Sequence, residues 1–266
     1  MKIRFTKMHG IGNDFIVINQ LKNQCNLNTR EISLLAHRQF GIGFDQLLMI
    51  EASSNPKAEF KYRIFNSDGG EVEQCGNGAR CFYHYIKEKN LSTNTQITVE
   101  TKSGLIVLSK KNKDLISVDM GKPFFEKAIS KLFTFISIGN PHAVLHPLGM
   151  DDKWDDAINY AKEIQADKVL FPQGVNVGLM KIIDENNLRL KVLERGSGLT
   201  LACGSGACAA TATAIQEKLA KTPVTVHMDG GSLIIDWDGS NSIIMSGPAE
   251  IVYEGEFDLD SFKKYE

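Results

Sequence analysis

The sequence predicts a mixed α/β chain built as two homologous halves, each holding mixed strands around a helix that begins just after a cysteine. Three observations carry this. Gln74-Cys75-Gly76-Asn77-Gly78-Ala79 returns as Ala202-Cys203-Gly204-Ser205-Gly206-Ala207, the cysteine lying 128 positions further on (75 to 203). Ile11-Gly12-Asn13 returns as Ile138-Gly139-Asn140, 127 positions on (13 to 140). Short β-branched and aromatic runs, with few helical stretches between them, fill both halves. Two separate motifs at nearly one offset mark a duplicated domain, because the repeat is domain-sized and too long for a solenoid. The halves are expected at 1–119, carrying Cys75, and 120–254, carrying Cys203, with the tail, about 255–266, able to pack back on the first.

Taken in order, residues 3–8 and 14–19 read as strands about a Gly10-Ile11-Gly12-Asn13 turn. Asn28 followed by Glu31 reads as a capping box opening a helix over 29–39, with Ile32, Leu35, Ala36 and Phe40 on its apolar face and Gly41 as its stop. Strands follow at 47–50 and 60–65, then a helix that begins after Cys75 and runs to about Lys89, with Asn90 as a left-handed terminator. Further strands fall at 96–101, 104–109 and 115–119, and Gly121-Lys122-Pro123 is the candidate junction. The second half reads as strands at 133–138 and 143–145, a helix at 154–165, and strands at 175–183 and 188–193. An alanine-rich helix over 207–219 comes next, since alanine is the best helix former. Short strands at 223–228, 233–237, 243–245 and 249–253 close the chain. Leu47-Leu48-Met49 loosely matches Gly178-Leu179-Met180 across the repeat.

With 266 residues the chain can bury two cores. Its net charge of −2 leaves no basic field for a nucleic-acid backbone, and Lys110-Lys111 and Lys263-Lys264 are isolated pairs. No apolar run is long enough for a signal peptide core or a membrane span. The odd set Cys25, Cys75, Cys81, Cys203 and Cys208 argues against a disulfide scaffold, so reduced thiols in a cytoplasm are expected. Their C-x₅-C and C-x₄-C spacings do not match a zinc site, and no nucleotide fingerprint or lysine-centred cofactor motif appears. No cofactor and no metal are expected.

Cys75 and Cys203 each stand at the mouth of a helix, where free N–H groups and the dipole favour a thiolate below the ordinary thiol range. The plain alternative is a small buried cysteine, which is how Cys81 and Cys208 read, while Cys25 reads as incidental in a polar loop. A pair of such mouths facing one cleft suits a carboxylate held between a thiolate and a thiol. One sulfur removes the α-proton, the other returns a proton to the opposite face, and the configuration inverts. Asn13, Gln46, Asn66, Asn140, Asn176, Glu194 and Arg195 lie at strand ends or turns near these motifs and can supply hydrogen bonds to a small-molecule substrate.

Phe65 through Cys81 and Glu194 through Cys208 closely resemble diaminopimelate epimerases. So do Met8-His-Gly-Ile-Gly-Asn13-Asp-Phe, Gly41-Ile-Gly-Phe-Asp-Gln46, Gly139-Asn140-Pro-His142 and Asn176-Val-Gly. The resemblance implies two barrel-like pseudosymmetric halves that close on the substrate, with the active site in the cleft between them. It implies cofactor-independent interconversion of LL- and meso-2,6-diaminopimelate, on the route to lysine and peptidoglycan, by a protein that is often a homodimer. Cys75 and Cys203 would be the acid/base thiols. Gly76, Asn77, Gly204 and Ser205 would surround the reacting carboxylate, and the asparagines, Gln46, Glu194 and Arg195 would hold the rest. His142 and Glu194 would tune the thiols. Leu199 departs from the family's glutamate at that place, which Glu71 holds in the first half. A related two-cysteine racemase acting on proline or hydroxyproline, and a redox or thiol-binding module, are the competing readings.

Overall fold

The computed structural model describes residues 2–21, 24–73, 75–112, 114–127, 132–145 and 154–262; Gln74 of the repeat motif and the Lys263-Lys264 pair lie outside them. The chain forms two compact units, Met1–Val118 with Gly247–Glu266, and Asp119–Ser246. The second unit thus begins a few residues before Gly121, and the first takes back more of the chain's end than a short tail.

The first unit holds β1 (Lys2–Gly10), β2 (Asn13–Asn19), α1 (Thr29–Ala36), β3 (Gln46–Ala52), β4 (Phe60–Asn66), β5 (Glu71–Val72), α2 (Gly76–Glu88), β6 (Gln96–Thr101), β7 (Gly104–Lys110) and β8 (Ile116–Asp119). The second holds β9 (Phe124–Phe125), β10 (Phe133–Ser137), β11 (Pro141–Leu145), α3 (Trp154–Ala166), β12 (Asn176–Asp184), β13 (Asn187–Glu194), β14 (Gly198–Thr200), α4 (Gly204–Gln216), β15 (Val224–Met228), β16 (Gly231–Asp236) and β17 (Ile244–Gly247). The chain then returns to the first unit as β18 (Glu250–Asp258) and α5 (Leu259–Phe262).

Within the first unit β1 pairs antiparallel with β18 and β2, β2 runs parallel to β3, β3 antiparallel to β4, β4 parallel to β6, and β6–β7–β8 form an antiparallel meander. The second unit repeats this pattern strand for strand. β10 pairs antiparallel with β9 and β11, β11 runs parallel to β12, β12 antiparallel to β13, β13 parallel to β15, and β15–β16–β17 form the meander. The register refines the sequence match. Gln46 faces Phe15 and Asn66, and Asn176 faces His142, with Val177 opposite Leu193. Leu47 therefore corresponds to Val177, one residue earlier than the sequence comparison places it.

In each unit one face of the sheet wraps a central helix. Helix α2 packs on β1, β2, β3, β7 and β18, and α4 packs on β10, β11, β12, β13, β15 and β16. Helix α4 is buried on all sides through Ala207, Cys208, Ala209, Ala210, Ala212 and Ala214, as a helix enclosed by strands must be. The other face of the first sheet is covered by α1, whose Ile32 and Leu35 share a core with Ile16, Ile18, Leu47, Met49, Phe257 and Leu259. In the second unit Ala157, Ala161 and Ile164 of α3 do the same against Ala143, Leu145, Val177 and Leu179. Among the described residues no helix is long and apolar enough to cross a membrane.

The Asn28–Glu31 capping box is present at α1. That helix ends at Ala36, ahead of Gly41, because His37 turns extended and its Nδ1 accepts the Gln39 and Phe40 N–H groups, both at 3.2 Å. Phe40 is consequently 61% exposed and off the core face. Cys25, expected to be incidental, is buried in the α1 core. Helix α4 starts at Gly204 and stops at Gln216, earlier at both ends than expected. Both central helices close alike. Asn90 and Lys218 take positive φ, and the next residue's N–H reaches back to Ile86 and Ala214, at 2.9 and 2.8 Å.

Candidate active site

Cys75 and Cys203 are the N-cap residues of α2 and α4, with extended backbones (φ −142°, ψ 120° and φ −131°, ψ 109°). Each offers its carbonyl to the N–H of the alanine four residues on, at 2.8 and 2.9 Å. Equivalent glycines let each first turn sit against the sheet. A Cβ on Gly78 would lie 2.5 Å from Tyr62 Oη, and one on Gly206 2.8 Å from Val192 Cγ2.

In the first unit the β1–β2 turn delivers Asn13 to α2. Cys75 Sγ lies 3.6 Å from Asn13 Oδ1, which also accepts from Asn77 Nδ2 at 3.3 Å. Beneath them lies a residue that sequence reasoning passed over. Arg80 is fully buried, and its Nη1 donates to Asn77 Oδ1 at 3.1 Å. Its signal was a lone charge in the opening turns of a helix that is otherwise small and apolar there. Gln46 and Asn66 meet each other at the paired ends of β3 and β4, Nε2 donating to Oδ1 at 2.9 Å.

In the second unit Asn140, His142, Ser205 and Cys203 converge. Asn140 Nδ2 donates to Ser205 Oγ at 3.3 Å, and His142 Nε2 lies 3.0 Å from both Ser205 Oγ and Asn140 Oδ1. Cys203 Sγ lies 3.7 Å from Ser205 Oγ. His142 is wholly buried, and burial lowers its pKa to about 3, so the imidazole is neutral. It stands where Phe15 stands in the first unit, while Arg80 corresponds to Cys208 (80 to 208, again 128 apart). Each unit thus steadies the polar residue of its Cys-Gly-polar-Gly turn by a different device: a guanidinium under Asn77, an imidazole beside Ser205.

The expectation of a depressed thiol at Cys203 is not met. Burial pushes it well above the ordinary thiol range, the Glu194 carboxylate adds to this, and the Gly206 N–H and Ser205 hydroxyl only partly oppose it. Cys203 is 4% exposed, and desolvation of a thiolate outweighs two hydrogen bonds. Glu194 also accepts from Thr200 Oγ1 at 2.6 Å. Asn176 Oδ1 accepts the Arg195 N–H at 2.9 Å, and the Arg195 guanidinium reaches the Gln173 carbonyl at 2.7 Å. Leu199 is 46% exposed; its counterpart Glu71 pairs twice with Arg63, at 2.8 and 2.9 Å. Lys191, in the place of Arg63, turns to Asp229 instead. Among the described residues no group of three or more His, Cys, Asp or Glu is placed to hold a metal ion.

Known proteins match this chain along its length. The family model described as diaminopimelate epimerase matches residues 5–126 and 134–252. A diaminopimelate epimerase of Psychrobacter sp. (strain PRwf-1) is 45% identical over 285 residues, covering 98% of this chain and 96% of that one. One from Aromatoleum aromaticum is 43% identical over 286 residues, covering 98% and 100%. Among solved structures, a hydroxyproline epimerase from Agrobacterium vitis with bound trans-4-hydroxy-L-proline superposes with a TM-score of 0.73 at 14% identity, covering 97% of this chain and 93% of that one. A PhzF-family phenazine biosynthesis protein from Bacillus anthracis gives 0.74 at 16% identity, covering 97% and 99%. The structural likenesses speak for the fold.

Proposed function

The chain belongs to the diaminopimelate epimerase family, and on that premise we propose which of its residues carry the reaction. It is an isomerase that interconverts LL- and meso-2,6-diaminopimelate, a step of lysine biosynthesis. Cys75 and Cys203 are the acid/base thiols. One, as thiolate, takes the α-proton and becomes a thiol. The electron pair left behind spreads onto the carboxylate, which the helix mouths at Gly76, Asn77, Gly204 and Ser205 stabilise more than they do the ground state. The other thiol gives its proton to the opposite face and becomes a thiolate.

The observation that carries this reading is the placement of a cysteine as N-cap of the central helix in both units, each with polar side chains at its sulfur. Asn13 and Asn140 hold the substrate beside the thiols; Gln46, Asn66, Asn176, Glu194 and Arg195 hold its distant amino acid end. His142 and Glu194 tune Cys203. The protein works in the cytoplasm as a homodimer, a state that analytical ultracentrifugation reads directly.

Cys75→Ser and Cys203→Ser are each expected to lower turnover of LL-diaminopimelate by at least about 10²-fold. Deuterium from solvent should enter the α-carbon as the native protein turns over. Near-normal epimerisation by either variant would refute the two-thiol scheme. Turnover of proline in place of diaminopimelate would instead point to the proline-type racemases.

A further inference from the structure

The amide side chains beside Cys75 lie in one hydrogen-bonded chain whose two ends have opposite character. At one end Arg80 donates to Asn77 Oδ1 at 3.1 Å, to the Gly76 carbonyl at 3.4 Å and to the Pro248 carbonyl at 3.0 Å. Asn77 Nδ2 donates to Asn13 Oδ1 at 3.3 Å, and Asn13 Nδ2 donates to Asp45 Oδ2 at 3.1 Å. At the far end Asp45 Oδ1 takes Arg38 Nη2 at 2.7 Å, and Oδ2 also takes the Asp14 N–H at 3.2 Å. A guanidinium only donates and a carboxylate only accepts. The two amides between them therefore have one orientation each. Flipping either sets oxygen against oxygen or nitrogen against nitrogen. The result is that Asn13 turns its carbonyl oxygen, 3.6 Å away, to Cys75 Sγ.

We propose that Arg80 and Asp45 are positioning residues for Cys75: from opposite ends of this chain they fix Asn13 as an acceptor, so that the Cys75 S–H is held as the proton donor of the resting site. A carbonyl oxygen accepts from a thiol and repels a thiolate, so the direction of the chain sets the role of the sulfur. The proposal rests on the reading of Cys75 as an acid/base thiol. Ionisable groups that act on it include Tyr62 of β4, whose hydroxyl donates to the Cys75 carbonyl at 3.3 Å, and Cys81 on its own helix. Asp14 of β2 is tied to Lys7 and Arg38, at 2.6 and 2.8 Å.

The test is the pH dependence of iodoacetamide alkylation at Cys75, read on the Cys75 peptide by mass spectrometry in the full chain. In Asp45→Asn the acceptor-only end is gone, and Asn13 can turn its NH₂ to the sulfur at the cost of the one bond it accepts from Asn77. The midpoint is expected to fall by about one pH unit, which is about tenfold more thiolate below the midpoint. The shift should persist at about 1 M salt, where screening leaves a Debye length of about 3 Å. Asp45→Glu, again acceptor only, should restore the native midpoint. Asp45→Ser carries the same expectation as Asp45→Asn if that variant does not fold. An unmoved midpoint, a shift abolished by salt, or equal shifts in Asp45→Asn and Asp45→Glu would overturn the proposal. The alkylation midpoint does not depend on turnover, so its failure is separate from a failure of Cys75→Ser to lose activity.

Discussion

His142 and Phe15 occupy one place in the two units, and the difference shows what the imidazole is for. An apolar ring is enough to fill the space; the nitrogen at 3.0 Å from Ser205 Oγ is the addition. The folded-state pKa of about 3 lies below the ordinary histidine value of 6.5, so as pH falls the unfolded chain binds this proton first. The stability that the neutral ring contributes is whole above pH 6.5 and is lost as pH falls toward 3. His142→Phe is expected to fold and to flatten this part of the acid limb of a denaturation-versus-pH curve, by at most about 3 kcal/mol at pH 4. Its kcat should fall about tenfold or more, because Ser205 loses the imidazole and keeps only Asn140 and the Cys203 sulfur beside it; unchanged kcat would reduce His142 to filling. At this scale the two thiols are legible in the sequence because the repeat sets them side by side. Arg80 is not, since a lone arginine on a helix ordinarily reads as solvated. The raised thiol of Cys203 is not legible either, because desolvation depends on what covers the sulfur and the local motif holds only the opposing dipole.

The central helices are seated by glycine as much as by their apolar faces. Gly78 lets the first turn of α2 approach Tyr62 Oη to a distance that a methyl group could not share, 2.5 Å from its Cβ position. Gly78→Ala should therefore lift Cys75 and Asn77 off their partners, destabilise the fold by about 1–3 kcal/mol, and lower kcat/KM for diaminopimelate. A thermal midpoint and activity both equal to the native protein's would show that the turn has slack. Most strands were legible from β-branched runs and turn residues, because those signals are local. The short β5, β9 and β14 and the early end of α1 were not. The short strands exist by pairing with longer neighbours, and α1 ends at the His37 ring before Gly41 packs on the Leu34 and Leu35 carbonyls, where a Cβ would collide with both oxygens.

At the scale of the molecule, duplication accounts for the order of elements, the alternation of parallel and antiparallel pairs, and the matching helix ends. One break in the bookkeeping of halves is the return of the chain's end to the first unit, where β18 pairs with β1 from Lys2↔Asp258 to His9↔Glu250. Phe257 and Leu259 lie in the α1 core, and the Pro248 carbonyl holds Arg80. A chain cut after Ala249 is expected to lose the fold of the first unit, with its α2 amides exchanging freely in hydrogen-exchange measurements. Protection of α2 equal to the full chain's would show that β18 is dispensable.

That strand pairing also has a consequence in time. A ribosome makes β1 before, and β18 after, nearly the whole of the second unit. The second unit, complete within Asp119–Ser246, has all its residues while β1 is paired with β2 alone and still lacks β18. The nascent polypeptide is thus finished out of sequence, against the usual N-terminal-first order of domains. Of the two N-cap cysteines, Cys75 appears first during translation and is the later to be enclosed by its own unit, and a prematurely terminated product would carry it without its full setting.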